Sequence, residues 1–347
     1  MEAKTCNSIL ELVGNTPLIQ LNNLVKDIPA KVYAKIEGMN PGLSAKDRIA
    51  LYMIEKAERE GKLQAGGTIV EATSGNTGFG IAMVSAVKGY QCVFYTKKKT
   101  SKEKIQALEA LGAKVIVCPS VGKDDPRYYI NMAERMGKEP DAYYLNQNFD
   151  LGNSEAHYHS TGPEIWNQTK GKITRFIACA GTGGTISGTG RFLKDQNEKV
   201  EIIGVDAYGS VLAKYHETGE FDEREIRPYK VEGLGKSIIP GNVNRDIIDR
   251  FIKVDDLNSA NYAKRLAKEE GLFVGYSSGS AMTALMEIKD ELTADDVVVL
   301  LFSDHGTKYL GKIYNEDWMK EQFSDKNKEE ARRIDYKTNT RKRRKSA

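Results

Sequence analysis

Three short stretches carry the chemistry legible in this chain. In Asn40-Pro41-Gly42-Leu43-Ser44-Ala45-Lys46-Asp47-Arg48, a lysine follows a turn of small residues, with Ser44 and Asp47-Arg48 able to begin a helix. A lysine placed there and desolvated loses its proton more easily and becomes a nucleophile toward carbonyl groups. Further along, Thr73-Ser74-Gly75-Asn76-Thr77-Gly78 combines three hydroxyls with a turn that leads from a strand into a helix. Its free backbone N–H groups and the hydroxyls of Thr73, Ser74 and Thr77 make one mouth for a carboxylate. Much later, Gly181-Thr182-Gly183-Gly184-Thr185 offers the same donors in a tighter, glycine-rich turn suited to a phosphate. A nucleophilic amine, a carboxylate loop and a phosphate loop together suggest one active site.

Rival readings fail on spacing. A dinucleotide fingerprint starting at Gly181 requires glycine where Ile186 stands, and a Walker loop ending at Gly235-Lys236-Ser237 requires glycine where Lys230 stands. The four histidines, His157, His159, His216 and His305, lack carboxylate or cysteine company at metal-ligand spacing, so no metal is expected. Cys6, Cys92, Cys118 and Cys179 are scattered and read as reduced, mostly buried thiols.

These loops need rigid elements to hold them. From Thr68 the sequence alternates apolar or β-branched runs with helical patterns, the signature of βαβ units and a mostly parallel sheet. Thr68-Ile69-Val70-Glu71 precedes the first loop and a helix over Gly80 to Val87, Cys92-Val93-Phe94-Tyr95 leads to a helix over Lys102 to Leu111, and Lys114-Val115-Ile116-Val117 follows. A second series runs from Phe176-Ile177-Ala178-Cys179 through the glycine loop to Ile202-Ile203-Gly204-Val205. Two series imply two lobes. Helices are expected over Ser259 to Glu270 and Ser280 to Glu291, and Val297 to Phe302 reads as a central strand buried on both faces. Asp206 to Asn258 has weak periodicity and receives no assignment.

The 347 residues, 40% hydrophobic and 29% charged, suit a globular protein of two modest domains. No apolar run approaches the roughly 18 residues of a membrane span, so no membrane is expected as a partner and a cytoplasmic location is expected by default. The net charge of +3 conceals an asymmetry. Asp325 to Ala347 hold ten Lys or Arg against four Asp or Glu, +6, which leaves −3 for the rest. This end, including Arg341-Lys342-Arg343-Arg344-Lys345, reads as a solvated, disordered tail rather than a nucleic-acid site.

The three motifs resemble those of the fold-type-II pyridoxal phosphate enzymes, the cysteine synthase and cystathionine β-synthase group, over roughly residues 8 to 320. The resemblance implies an α/β fold of two lobes, each a mostly parallel sheet flanked by helices. Residues 1–44 and 149–323 would form the larger, cofactor-binding lobe, 45–148 a smaller mobile lobe, and 324–347 the basic tail. It implies pyridoxal 5′-phosphate bound through Lys46, Asn76, Gly181, Thr182, Gly183, Gly184, Thr185 and Ser277. Ser277, in Gly275-Tyr276-Ser277-Ser278-Gly279, would face the pyridine nitrogen, Ser278 being one step away in register, and Asn76 the phenolic oxygen. Thr73, Ser74, Asn76, Thr77 and Gln147 would hold an amino-acid substrate.

The activity implied is β-replacement or β-elimination on L-serine or L-cysteine through an aminoacrylate, with Lys46 moving the α-proton. Glu232 would protonate the leaving group or activate the nucleophile. The segments Lys230 to Pro240 and Gly204 to Ser210 look more like cystathionine β-synthase than cysteine synthase, which implies hydrogen sulfide release from cysteine and L-homocysteine as a possible second substrate. Lys236 and Asn148 depart from the tyrosine and the aromatic residue usual near the mouth. Alternatives are a lyase converting L-cysteine and water to L-serine and sulfide, a cysteine synthase using an activated serine, or a silent scaffold or nucleic-acid binder. A homodimer is expected by family habit, and neither a haem extension nor a paired regulatory module is expected.

Overall fold

The computed structural model describes residues 5–73 and 75–324. The basic segment from Asp325 onward lies outside the described residues. Ten strands are present: β1 (Leu18–Gln20), β2 (Lys31–Ile36), β3 (Thr68–Ala72), β4 (Gln91–Lys97), β5 (Lys114–Cys118), β6 (Ala142–Tyr144), β7 (Arg175–Cys179), β8 (Glu201–Ala207), β9 (Arg250–Val254) and β10 (Val297–Phe302). They form two sheets, a six-stranded one in the order β1-β2-β10-β7-β8-β9 and a four-stranded one in the order β5-β4-β3-β6. Every pairing is parallel except that of β1 with β2. The α/β architecture expected from the alternating pattern is the one observed.

β10 lies between β2 and β7, in register from Val297 opposite Lys31 to Phe302 opposite Ile36. Its side chains alternate between two cores: Val298, Leu300 and Phe302 enter one cluster, Val299 and Leu301 the other. A strand with helices on both faces must be apolar at every position, which is why its sequence shows no polar alternation. The expected helices are present with shifted ends, as Asn76–Lys88, Lys102–Ala110, Asp256–Glu269 and Tyr276–Glu287. The unassigned stretch holds the short helix Leu212–Thr218 and β9, an edge strand only half-buried over most of its length.

A buried ionic network fixes the helix that begins at Lys46. The Arg48 guanidinium donates to Glu37 Oε2 through Nε at 2.6 Å and to Glu164 Oε1 through Nη1 at 2.7 Å. Lys35 on β2 donates to Glu164 Oε2 at 2.6 Å and to the carbonyl of Thr16. The helix Lys46–Arg59 is thereby tied to β2 and to the helix Thr161–Gln168. Such charges are stable only when paired and hydrogen-bonded, because taking them from water costs several kcal/mol each.

Candidate active site

Lys46 opens its helix, and the preceding loop is stitched to the end of β10. Ala45 N donates to Ser303 O at 2.9 Å, and Ser44 and Asp304 form an antiparallel bridge. The loop Gly181–Thr185 leaves β7 and enters the helix Gly184–Gln196, whose first N–H groups lack helical partners. Ser277 lies in the first turn of the helix Tyr276–Glu287, behind β7. These elements converge: Ala45, Lys46, Asn76, Cys179, Gly181, Thr182, Gly183, Thr185, Gly233, Ser277, Ser303 and Asp304 line one cavity. Lys46, Asn76 and Ser277 therefore share it with the glycine loop, while Ser278 is buried with its hydroxyl lacking a partner among the described residues.

The glycine loop is shaped by close approach as well as by turning. Gly183 has φ +89°, and a Cβ there would stand 2.6 Å from Val243 Cγ2. At Gly184 a Cβ would meet Asn153 Oδ1 at 1.9 Å. Asn153 Nδ2 donates to Thr182 Oγ1 at 2.9 Å and to Gln147 O at 2.7 Å. The buried His157 contacts Thr185 Oγ1 through Nε2 at 3.1 Å and Thr161 through Nδ1 at 2.8 Å. Burial holds that imidazole well below its ordinary pKa, with Lys46 and Arg48 adding to the effect. The Thr182 and Thr185 hydroxyls are thus held in place from behind.

The start of the helix Asn76–Lys88 is joined to Gln147, which lies past the neighbouring strand β6. Thr77 Oγ1 donates to Gln147 Oε1 at 2.7 Å, and both residues are buried. Thr73 precedes the turn, its hydroxyl accepting from Gly75 N at 3.4 Å. Ser74 lies outside the described residues. Glu71, beneath this loop, accepts from Gln147 N and Ala72 N. Burial raises its carboxyl to about 7 against those bonds.

Asn76 is oriented from both ends of its amide. It donates through Nδ2 to Asp304 Oδ2 at 2.8 Å and accepts at Oδ1 from Lys308 Nζ at 2.6 Å. Asp304 also accepts from Tyr309 at 2.9 Å, and its Oδ1 has no partner among the described residues. Asp304, which lines the cavity, and Lys308, which reaches Asn76, are among the residues that motif reading missed. Asp304 sits just past the carboxyl end of the central strand, where ligands bind in open α/β sheets, and that rule was the available signal.

Lys46 carries the electrostatics that imine chemistry needs. Burial lowers its amine to about 8, the Lys236 ammonium pushes the same way, and Asp304 opposes both. Glu232 is placed differently from the cavity residues. Its neighbour Gly233 lines the cavity, whereas its own carboxylate is held between Lys104 Nζ, at 2.6 Å, and Lys312 Nζ.

The donor set fits a phosphorylated aromatic aldehyde. A glycine cradle with two hydroxyls suits a phosphate, a lowered amine suits an aldehyde, and the neutral Ser277 hydroxyl has no hydrogen-bond partner among the described residues.

Comparison with known proteins identifies the family of the chain. A family described as "Pyridoxal-phosphate dependent enzyme" matches residues 9–304. Cystathionine beta-synthase of Saccharomyces cerevisiae is 43% identical over 332 residues, covering 92% of this chain and 65% of that protein. Cysteine synthase of Staphylococcus aureus is 42% identical over 311 residues, covering 89% of this chain and 97% of that one. The chain spans under two thirds of the cystathionine beta-synthases it matches, 65% of the yeast and 63% of the Apis mellifera protein. Among solved structures, a hydrogen sulfide-producing enzyme from Fusobacterium nucleatum superposes with a TM-score of 0.80 at 34% identity, covering 88% of this chain and 99% of that one. O-ureido-L-serine synthase gives 0.82 at 29% identity, covering 91% and 99%.

Proposed function

The chain belongs to the family of pyridoxal-phosphate dependent enzymes, and from that premise we propose that it carries out β-replacement on L-serine or L-cysteine. L-serine and a thiol give a thioether amino acid and water; L-cysteine in place of serine releases hydrogen sulfide. The observation that carries this reading is the convergence of Lys46, Asn76, the Gly181–Thr185 loop and Ser277 on one cavity, with the Thr77–Gln147 pair beside it.

Lys46 would hold the resting cofactor through its amine, Gly181 to Thr185 would hold the phosphate, and Asn76 and Ser277 would hold the ring. When bound, pyridoxal phosphate would supply an electron sink for the pair left at the substrate α-carbon, and a neutral serine in the lining, where a carboxylate would enforce a protonated ring, would suit elimination more than transamination. Thr73, Ser74, Asn76, Thr77 and Gln147 bind the substrate carboxylate and fix the α-hydrogen toward Lys46. The Lys46 amine, lowered to about 8, takes that proton. The Cβ–O or Cβ–S bond then breaks, and the leaving group departs as water or sulfide. Glu232 moves a proton to the leaving group or from the nucleophile, after release from Lys104 or Lys312.

We take residues 1–44 with 149–323 as the larger lobe and 45–148 as the smaller, mobile one; the sheet membership of β3–β6 supports this division. A cytoplasmic homodimer completes the reading. Three buried free thiols support a reducing compartment, and family habit supports the dimer. Among the described residues no helix is long and apolar enough to cross a membrane.

The test is to incubate holoenzyme with L-serine or L-cysteine, with and without L-homocysteine, and to quantify sulfide and amino acids by mass spectrometry. Thioether with sulfide or water supports β-replacement. A second reading, L-cysteine and water to L-serine and sulfide, draws on the likeness to a hydrogen sulfide-producing enzyme and requires serine formation without homocysteine. If only an activated serine reacted, the leaving group proposed here would be wrong.

A further inference from the structure

The opening between the two sheets holds a cation without an anion. Lys236 lies on the segment after Gly235, which is anchored to the large sheet through Gly235 N donating to Ala180 O. Asn148 follows β6 of the small sheet. Their side chains meet across the gap, Lys236 Nζ donating to Asn148 Oδ1 at 3.0 Å. Among the described residues this amide oxygen is the ammonium's only hydrogen-bond partner, and the ammonium forms no ion pair. Burial lowers it to about 8, and Lys97 adds to the effect while Glu71 opposes it. Glu71 is already engaged by the N–H groups of Ala72 and Gln147.

A desolvated ammonium satisfied by one neutral acceptor is poised to bind an anion, since charge-assisted bonds are roughly twice as strong as neutral ones. The Asn148 amide nitrogen donates to no group among the described residues, so the pair offers two donors to one carboxylate. The carboxylate of the first substrate already has its own loop at Thr73, Thr77 and Gln147, one residue away in sequence from Asn148.

We propose that Lys236 and Asn148 form a second carboxylate subsite, which selects as nucleophile a thiol that is itself a carboxylate-bearing amino acid. This inference rests on the β-replacement reading and deepens it by naming the two residues that recognise the second substrate through its carboxylate. The covalent step is unchanged: a C–S bond forms at the β-carbon, the C–O or C–S bond to the leaving group breaks, and the thiol proton leaves with water or sulfide. Lys236 and Asn148 are specificity residues that touch the nucleophile away from its sulfur.

The test uses holoenzyme at saturating L-serine with two nucleophiles, L-homocysteine and 2-mercaptoethanol, the latter a thiol without a carboxylate. Lys236→Met raises the KM for L-homocysteine by about tenfold or more relative to that for 2-mercaptoethanol, the loss expected for one charge-assisted bond. Lys236→Arg keeps that discrimination within about threefold of the parent, because the charge and donors persist. L-serine titrated alone, followed by cofactor absorbance, separates the two carboxylate sites. A weakened response to L-serine in Lys236→Met with equal losses for both thiols would overturn the proposal and make Lys236 a ligand of the first substrate. Equal losses for both thiols with serine binding intact would also overturn it. Absence of thioether from the parent with either thiol would remove the β-replacement reading and the subsite with it, whereas thioether from the parent with no selective loss removes the subsite alone.

Discussion

Glu232 Oε2 and Lys104 Nζ lie 2.6 Å apart and join the helix Lys102–Ala110 of the small-sheet layer to the loop beside the cavity that Lys46 lines. Lys312 holds the other carboxylate oxygen from the opposite side. The carboxylate proposed to move protons is therefore also a tie across the opening, and both of its oxygens are engaged.

Glu232→Gln keeps the shape of the side chain and removes its proton-accepting charge. We expect turnover of both L-serine and L-cysteine to fall about 10²-fold, the usual size of a general acid–base contribution, with cofactor retention unchanged. Steady-state rates with each substrate check this, and parental rates with both would refute the role.

Lys104→Met should alter stability little. The Lys104 and Glu232 side chains are 31% and 33% exposed, and exposed pairs are worth under about 1 kcal/mol. Thermal melting of the holoenzyme is expected to shift by only a few degrees, while the KM for the amino acid changes because the tie is lost.

Capture of pyridoxal phosphate by apoenzyme should depend on pH through Lys46. The neutral amine is the nucleophile, and with its pKa lowered to about 8 the neutral fraction rises as pH increases past that value. The initial rate should grow about tenfold between pH 7 and 9 and then flatten. Stopped-flow absorbance measures it; a rate still climbing steeply at pH 10 would mean an unperturbed lysine.

Gly183→Ala places a Cβ at φ +89° and 2.6 Å from Val243 Cγ2, inside the loop proposed to hold the phosphate. A strained left-handed residue costs about 1–3 kcal/mol. Cofactor affinity is expected to drop about tenfold or more, read by cofactor lost on dialysis, with a lowered melting temperature.

Arg48→Met strands the buried Glu37 carboxylate and should cost about 3–5 kcal/mol by urea unfolding. Burial pushes the Glu37 and Glu164 carboxyls up, but the Arg48 guanidinium, together with Lys35 and, at Glu37, the Thr16 hydroxyl, more than offsets it and leaves both below their ordinary pKa. A carboxyl depressed in the folded state contributes stability above its unfolded pKa and loses it as pH falls through the folded one. The parent should therefore weaken on acidification below the ordinary glutamate range, and Arg48→Met should show a flatter acid limb.

Much of this was readable without coordinates because it is local. Strand-then-loop-then-helix around Thr73–Thr77 and Gly181–Thr185 is written in adjacent residues, and the all-apolar Val297–Phe302 announces a strand buried on both faces. The weakly periodic Asp206 to Asn258 was opaque because its strand β9 is an edge strand with a half-buried pattern, and its loops are held by distant bonds such as Gly235 N to Ala180 O.

By itself, then, the sequence determined which chemical groups are present and which short loops present them: an amine at Lys46, donors for a carboxylate and donors for a phosphate. Only the tertiary structure decided what faces those groups. Asn76 meets Asp304 from 228 residues away, Glu232 meets Lys104 from 128, and Lys236 meets Asn148 from 88. Such pairings follow from strand order and sheet packing, in which parallel neighbours are joined by long crossovers, so no local pattern of residues encodes them.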